Sequence, residues 1–132
     1  MGRFYDIDAA NERLVELRPL LEGLRADRDA LAQAQREFRE TLASDGAPGS
    51  EGTLQAQQGR VREIVARMEQ AVAQVDAWGI TLRDIQTGLV DFPALVTGRQ
   101  VWLCWRLGEG DVAWWHELSA GVRGRRPLID LA

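Results

Sequence analysis

The sequence predicts an α+β fold in which helix predominates. A long antiparallel helical hairpin, its first helix kinked near Pro19, leads into a small antiparallel β-sheet and an irregular C-terminal tail. Two patterns and one break carry this prediction. Apolar residues recur at heptad spacing over residues 10–42 and again over 54–78. Between them lies the glycine- and proline-rich stretch 44–52, and after Gly79 the period changes from helical to alternating.

Asp6 or Asp8 can cap the first helix, placing a carboxylate by its unpaired amides. Ala10, Leu17, Leu24, Leu31 and Phe38 fill one heptad position; Leu14, Leu21 and Leu42 fill the other, interrupted by Arg28 and Gln35. Pro19 removes the amide that would bond to Val15 and crowds that carbonyl, which predicts a kink or short break. Residues 44–52 read as a mobile loop, and a second helix is predicted from about Thr53 to Ala77, with Gly79 as its left-handed cap. Folding the two helices together pairs Leu17 with Trp78, Leu24 with Val72, Arg28 with Met68 and Leu31 with Val65. The base of the hairpin is then apolar and its distal half mixed. Val15, Leu20, Ile64 and Val65 widen the apolar stripe beyond a two-helix seam, so the shaft needs another surface, and a four-helix homodimer would supply it.

Beyond Gly79, Ile80 and Leu82 alternate with Thr81 and Arg83 in a short strand. Gly88–Ala94 reads as an edge strand ended by Pro93, because proline cannot donate to a central ladder. Val101–Leu107 is a strand rich in aromatic and β-branched residues, Gly108–Asp111 a turn, and Val112–Glu117 the returning strand. The tail 121–127 carries too much glycine and charge for regular structure. The chain is one domain over 1–132, with the hairpin at 6–79 and a Trp/Gly/Arg-rich β region at 80–132.

Composition excludes several functions. A net charge of −4 provides no general attraction for nucleic acid or an anionic membrane, so neither is an expected partner. All 16 basic residues are arginine, which removes Schiff-base lysines, lysine bases and the P-loop lysine. One cysteine makes no internal disulfide. The opening residues have no apolar signal region and no run approaches the roughly 18 apolar residues of a membrane helix, so the expected location is the cytoplasm.

The strings GLVDFPA (88–94), GR (98–99), LCW (103–105), GE (108–109), WHEL (115–118) and G..GR.P (121–127) together resemble the bacterial domain of unknown function family 2203. Tyr5-Asp6 and the leucine-rich helix with Pro19 extend the resemblance over nearly the whole chain. It implies a small bacterial cytosolic protein without an established activity, and brings no catalytic residue or cofactor.

The distinctive chemistry lies between Trp102 and His116, which enclose four of the five tryptophans, the single cysteine and the single histidine. Cys104, His116 and either Asp91 or Glu117 would form a nucleophile, base and orienting acid if their side chains share a face. Pairing residue 104 with 114 puts Cys104 and His116 on one face; pairing 104 with 115 sets them opposed. The bland alternative is a small buried cysteine between tryptophans and a histidine satisfied locally. One cysteine and one histidine fall short of a structural zinc site and HExxH is absent, so no metal is assigned, although Cys104, His116, Asp91 and Glu117 leave a carboxylate-rich catalytic metal site open. Arg99, Arg123, Arg125 and Arg126 form the densest basic set, suited to a small anion or to ion pairs that hold the tail. Asp91 before Phe92-Pro93 suits an Asx-turn, and Arg83-Asp84 a helix-to-sheet salt bridge.

Two functions follow. The first is a non-catalytic interaction or structural module, a homodimer through the hairpin with a Trp/Arg-rich sheet facing a protein partner. The second is a small enzyme or anion- or ligand-binding protein. Its pocket, between hairpin base and sheet, draws on Asp91, Arg99, Cys104, His116, Glu117 and Arg125.

Overall fold

The computed structural model describes residues 4–44 and 50–131. Two helices, α1 (Ile7–Ala43) and α2 (Ser50–Ala77), precede five strands: β1 (Thr81–Asp84), β2 (Leu89–Val96), β3 (Arg99–Trp105), β4 (Trp114–His116) and β5 (Arg126–Pro127). The strands form one antiparallel meander in sequence order.

Asp6 is the cap of α1: its carboxylate accepts from the Ala9 amide at 2.7 Å. Ala10, Leu14, Leu17, Leu21 and Leu24 are buried as the heptad predicts. The break considered at Pro19 does not occur, and α1 runs through it. Val15 is 76% exposed, so water can satisfy the carbonyl that Pro19 leaves without a donor. The second helix begins at Ser50, three residues before the expected start, which shortens the predicted loop; its central residues, 45–49, lie outside the described residues. Arg67 reaches across to Asp27 at 3.0 Å, close to the expected pairing of Arg28 with Met68. Gly79 (φ 76°) ends α2 as anticipated. The Ile80 amide donates to Val75 and the Gly79 amide to Asp76, closing the last turn with both bonds of a Schellman motif.

Only the N-terminal half of α1 and the end of α2 lie on the sheet. Leu14, Leu17, Leu21 and Val75 pack with Val90, Phe92, Ala94, Val101, Leu103, Trp105 and Trp115 into one core. Fully burying one such side chain contributes about 1.5–3 kcal/mol. Tyr5 fastens the chain start to both layers. Its ring meets Phe92 edge-on at 5.1 Å, its amide donates to the Pro93 carbonyl, and its hydroxyl donates to the Trp78 carbonyl.

One expectation for the sheet is corrected. The strand containing Pro93 is no edge: β2 lies between β1 and β3 and continues to Val96. Pro93 is tolerated because β1 stops at Thr81, opposite Asp91. On that side Pro93 meets the Tyr5 amide, which needs an acceptor, and no strand that would need its missing donor. The tail is short and irregular as expected, apart from one two-residue pairing. Arg126 and Pro127 pair with Trp115 and Trp114, flanked by 3₁₀ turns at Val122–Gly124 and Leu128–Leu131.

No helix among the described residues is long and apolar enough to cross a membrane.

Candidate functional site

Alternation divides the sheet residues into two sets. Val90, Phe92, Val101, Leu103, Trp105 and Trp115 face the helices. Asp91, Trp102, Cys104, Trp114 and His116 therefore face outward. The register makes Asp91 the partner of Cys104, Cys104 the partner of Trp114, and Trp102 the partner of His116. Of the two pairings considered for residue 104, the structure has the one with 114, and Cys104 and His116 share a face.

On that face Asp91 and His116 are both 2% exposed, unusual for ionisable residues on the side of a sheet away from its helices. His116 Nε2 lies 3.0 Å from Asp91 Oδ1, and Arg83 Nε donates to Asp91 Oδ2 at 2.8 Å. His116 Nδ1 lies 2.9 Å from the Glu117 carbonyl oxygen. A carbonyl only accepts, so Nδ1 carries a proton and donates it. Nε2 then confronts a carboxyl oxygen, and this contact is favourable only if a proton, carried by either atom, or a cation stands between the two.

One ligand atom from each of Asp91, Cys104 and His116 lies within 4.8 Å of the others, and all three residues are buried. Burial pushes the Cys104 thiol up to about 12, with the Asp91 carboxylate adding to the effect and Arg125 opposing it. Burial in this way disfavours the thiolate form that a nucleophile needs.

Arg83 reaches Asp91 through a bulge. Thr81 and Leu82 pair with Asp91 and Val90, but Asp84 pairs with Leu89, leaving Arg83 as the extra residue. Its guanidinium also lies 5.1 Å above the Trp102 ring. The expected helix-to-sheet role of Arg83-Asp84 is thus corrected. Arg83 bonds within the sheet, and Asp84 accepts from the Thr87 amide and hydroxyl in the following turn.

A cleft of about 280 Å³ opens over this group, between Arg83, Leu89, Asp91 and His116 on one side and the segment Leu118–Val122 on the other. It lies on the outer face of the sheet, away from the hairpin base where the sequence placed it.

The remaining sequence candidates lie apart. Arg99 shares the parity of Val101 and Leu103, on the helix-facing side. It pairs with Glu117 at 3.1 Å and lies 5.4 Å over the Trp115 ring, with Arg126 on the same ring at 4.8 Å. Arg125 lies on the outer face but is bonded to Glu109 at 2.9 Å, over Trp114 at 4.7 Å. Three of the six predicted residues, Asp91, Cys104 and His116, therefore converge. Arg99, Glu117 and Arg125 are engaged in salt bridges elsewhere, and Arg99 and Arg126 line a separate cleft of about 260 Å³ with Trp115 and Asp130. Arg83 was missed as a site residue.

The model of the family described as "Uncharacterized conserved protein (DUF2203)" matches residues 3–128, and the chain belongs to that family. No curated protein and no solved structure matches it.

Proposed function

We propose that this DUF2203 member is a small cytoplasmic ligand-binding protein whose site is the outer-face cleft beneath Leu118–Val122. One observation carries the reading: a fully buried Asp91–His116 pair forms the wall of a cleft that half-exposed Arg83 also lines. Burying two ionisable groups costs several kcal/mol per ion before their mutual attraction is counted. A fold needing only a packed sheet would place apolar residues there. The lining suits a small organic anion, its charge beside Arg83 and its apolar body against Leu89, Leu118 and Val122. Trp102 and Trp114 are half-buried and each is topped by an arginine, which leaves less aromatic surface for a protein partner.

The test is a titration of the ¹⁵N-labelled chain with short-chain carboxylates and organic phosphates. Shifts confined to Arg83, Leu89 and 116–122, lost in Arg83→Ala, are expected. Saturating additions that leave those amides unmoved would refute the proposal.

A separate observation favours homodimerisation. Distal to the sheet, Leu31, Val65, Met68, Val72 and Ala73 line an open groove of about 550 Å³, and Val72 is 40% exposed. A second hairpin would bury that stripe as a four-helix bundle. Light scattering should give twice the chain mass, falling to one chain mass in Val72→Glu; a wild-type monomer at high concentration would remove this reading.

A further inference from the structure

We propose that Asp91, Cys104 and His116 bind one divalent transition-metal ion of the zinc class, with its open coordination position facing the cleft. The inference deepens the ligand-binding reading and rests on it only for what occupies the open position.

Two independent observations support the ion. The first is the ligand set: a carboxylate oxygen, a thiol sulfur and an imidazole nitrogen, buried and within 4.8 Å of one another. A tetrahedral ion with bonds of about 2.0–2.3 Å holds its ligand atoms roughly 3.3–3.7 Å apart. Three protein ligands of mixed type plus one exchangeable position is the pattern of catalytic rather than structural zinc.

The second is the outer hydrogen bonding. Metal-binding histidines nearly always donate the far ring N–H to a carbonyl or carboxylate, which fixes the near nitrogen as a lone-pair donor. His116 Nδ1 meets the Glu117 carbonyl in that way, leaving Nε2 pointed at Asp91 Oδ1. The other oxygen of Asp91 is held by Arg83 Nε, so the carboxylate too is oriented from behind. A cation between Nε2 and Oδ1 turns the confrontation of two acceptors into two coordinate bonds. The proton that lies between Nε2 and Oδ1 in the metal-free protein and the Cys104 thiol proton both leave to solvent, Cys104 completes the triad as thiolate, and the ion compensates the buried negative charge. Asp91 and His116 line the cleft while Cys104 does not, so a fourth ligand reaches the ion from the cleft side.

The full-length chain, stripped with chelator and refolded if needed, is titrated with Co²⁺ and then Zn²⁺. One equivalent of Co²⁺ should bring up a thiolate-to-cobalt charge-transfer band and tetrahedral visible absorption, both abolished by one equivalent of Zn²⁺. The charge-transfer band should vanish in Cys104→Ala. In Arg83→Ala, which supports the ligands without touching the ion, the band should persist with affinity lowered roughly 10–100-fold. Folded wild-type protein that binds no Co²⁺ stoichiometrically, or binds it without the thiolate band, overturns the assignment and needs no variant to do so. Cleft amides that respond to an organic anion in metal-free protein, with no Co²⁺ band, overturn the metal and leave the ligand reading standing. A full Co²⁺ band with no anion response upholds the metal and sinks the organic-anion reading.

Discussion

Cys104 pairs with Trp114 across β3 and β4, and that register puts its thiol on the face where His116 meets Asp91 at 3.0 Å. A shift of one residue would have turned His116 toward the helices and left Asp91 with only Arg83.

The Asp91–His116 pair should dominate the energetics of this face. In chelator-treated protein, Asp91→Ala leaves a buried imidazole without its carboxylate and should cost about 3–5 kcal/mol. Arg83 is 43% exposed, and Arg83→Ala should cost about 1 kcal/mol or less. Urea unfolding at neutral pH compares the two; equal losses would show that burial of the His–Asp contact is not the main term.

Cys104 should be silent toward thiol reagents until the protein unfolds, because its thiol is buried and pushed up to about 12. The folded value lies above the unfolded one of about 8.5, so the contribution to stability is full below about pH 8.5 and falls as pH rises toward the folded value. Cys104→Ala should therefore flatten the alkaline limb of the metal-free stability profile. Rapid labelling of native metal-free protein, or an unchanged limb, would contradict this.

At the acid end, the Thr87 hydroxyl and amide hold the Asp84 carboxyl below its ordinary value. A lowered folded value stabilises above the unfolded value of about 3.9, and the contribution is lost as pH falls through the folded one. Thr87→Ala should raise the Asp84 titration midpoint, followed by carboxyl ¹³C shifts; a midpoint that stays in place would show that the hydroxyl bond is not formed in solution.

Gly88 turns β1 into β2 at φ 65°, and a Cβ there would lie 2.5 Å from the Leu107 side chain. Left-handed backbone and overpacking together should make Gly88→Ala cost about 2 kcal/mol. By contrast Gly98→Ala, also left-handed but in open space, should cost less. Thermal unfolding of the two variants orders them, and the reverse order would contradict the packing at Gly88.

Much of the fold was legible because it rests on periodicity. Leu14, Leu17, Leu21 and Leu24 mark the buried side of α1, and Val101–Leu107 shows its strand through aromatic and β-branched residues. The β3–β4 register was not legible for a specific reason: residues 114 and 115 are both tryptophan, so either pairing buries one indole against the helices. Pro93 was misplaced to an edge because the Tyr5 amide that meets its carbonyl comes from the other end of the chain. Arg83 was missed because a bulge aims it, and a bulge leaves no mark on alternation over four residues.

The most direct measurement is a crystal structure of protein purified without chelator, with anomalous data collected on either side of the zinc edge. The account predicts one anomalous peak bound by Asp91 Oδ1, Cys104 Sγ and His116 Nε2, with a further ligand or water on the cleft side. A direct Asp91–His116 hydrogen bond with no anomalous scatterer between the two, in protein grown with added zinc, would contradict it.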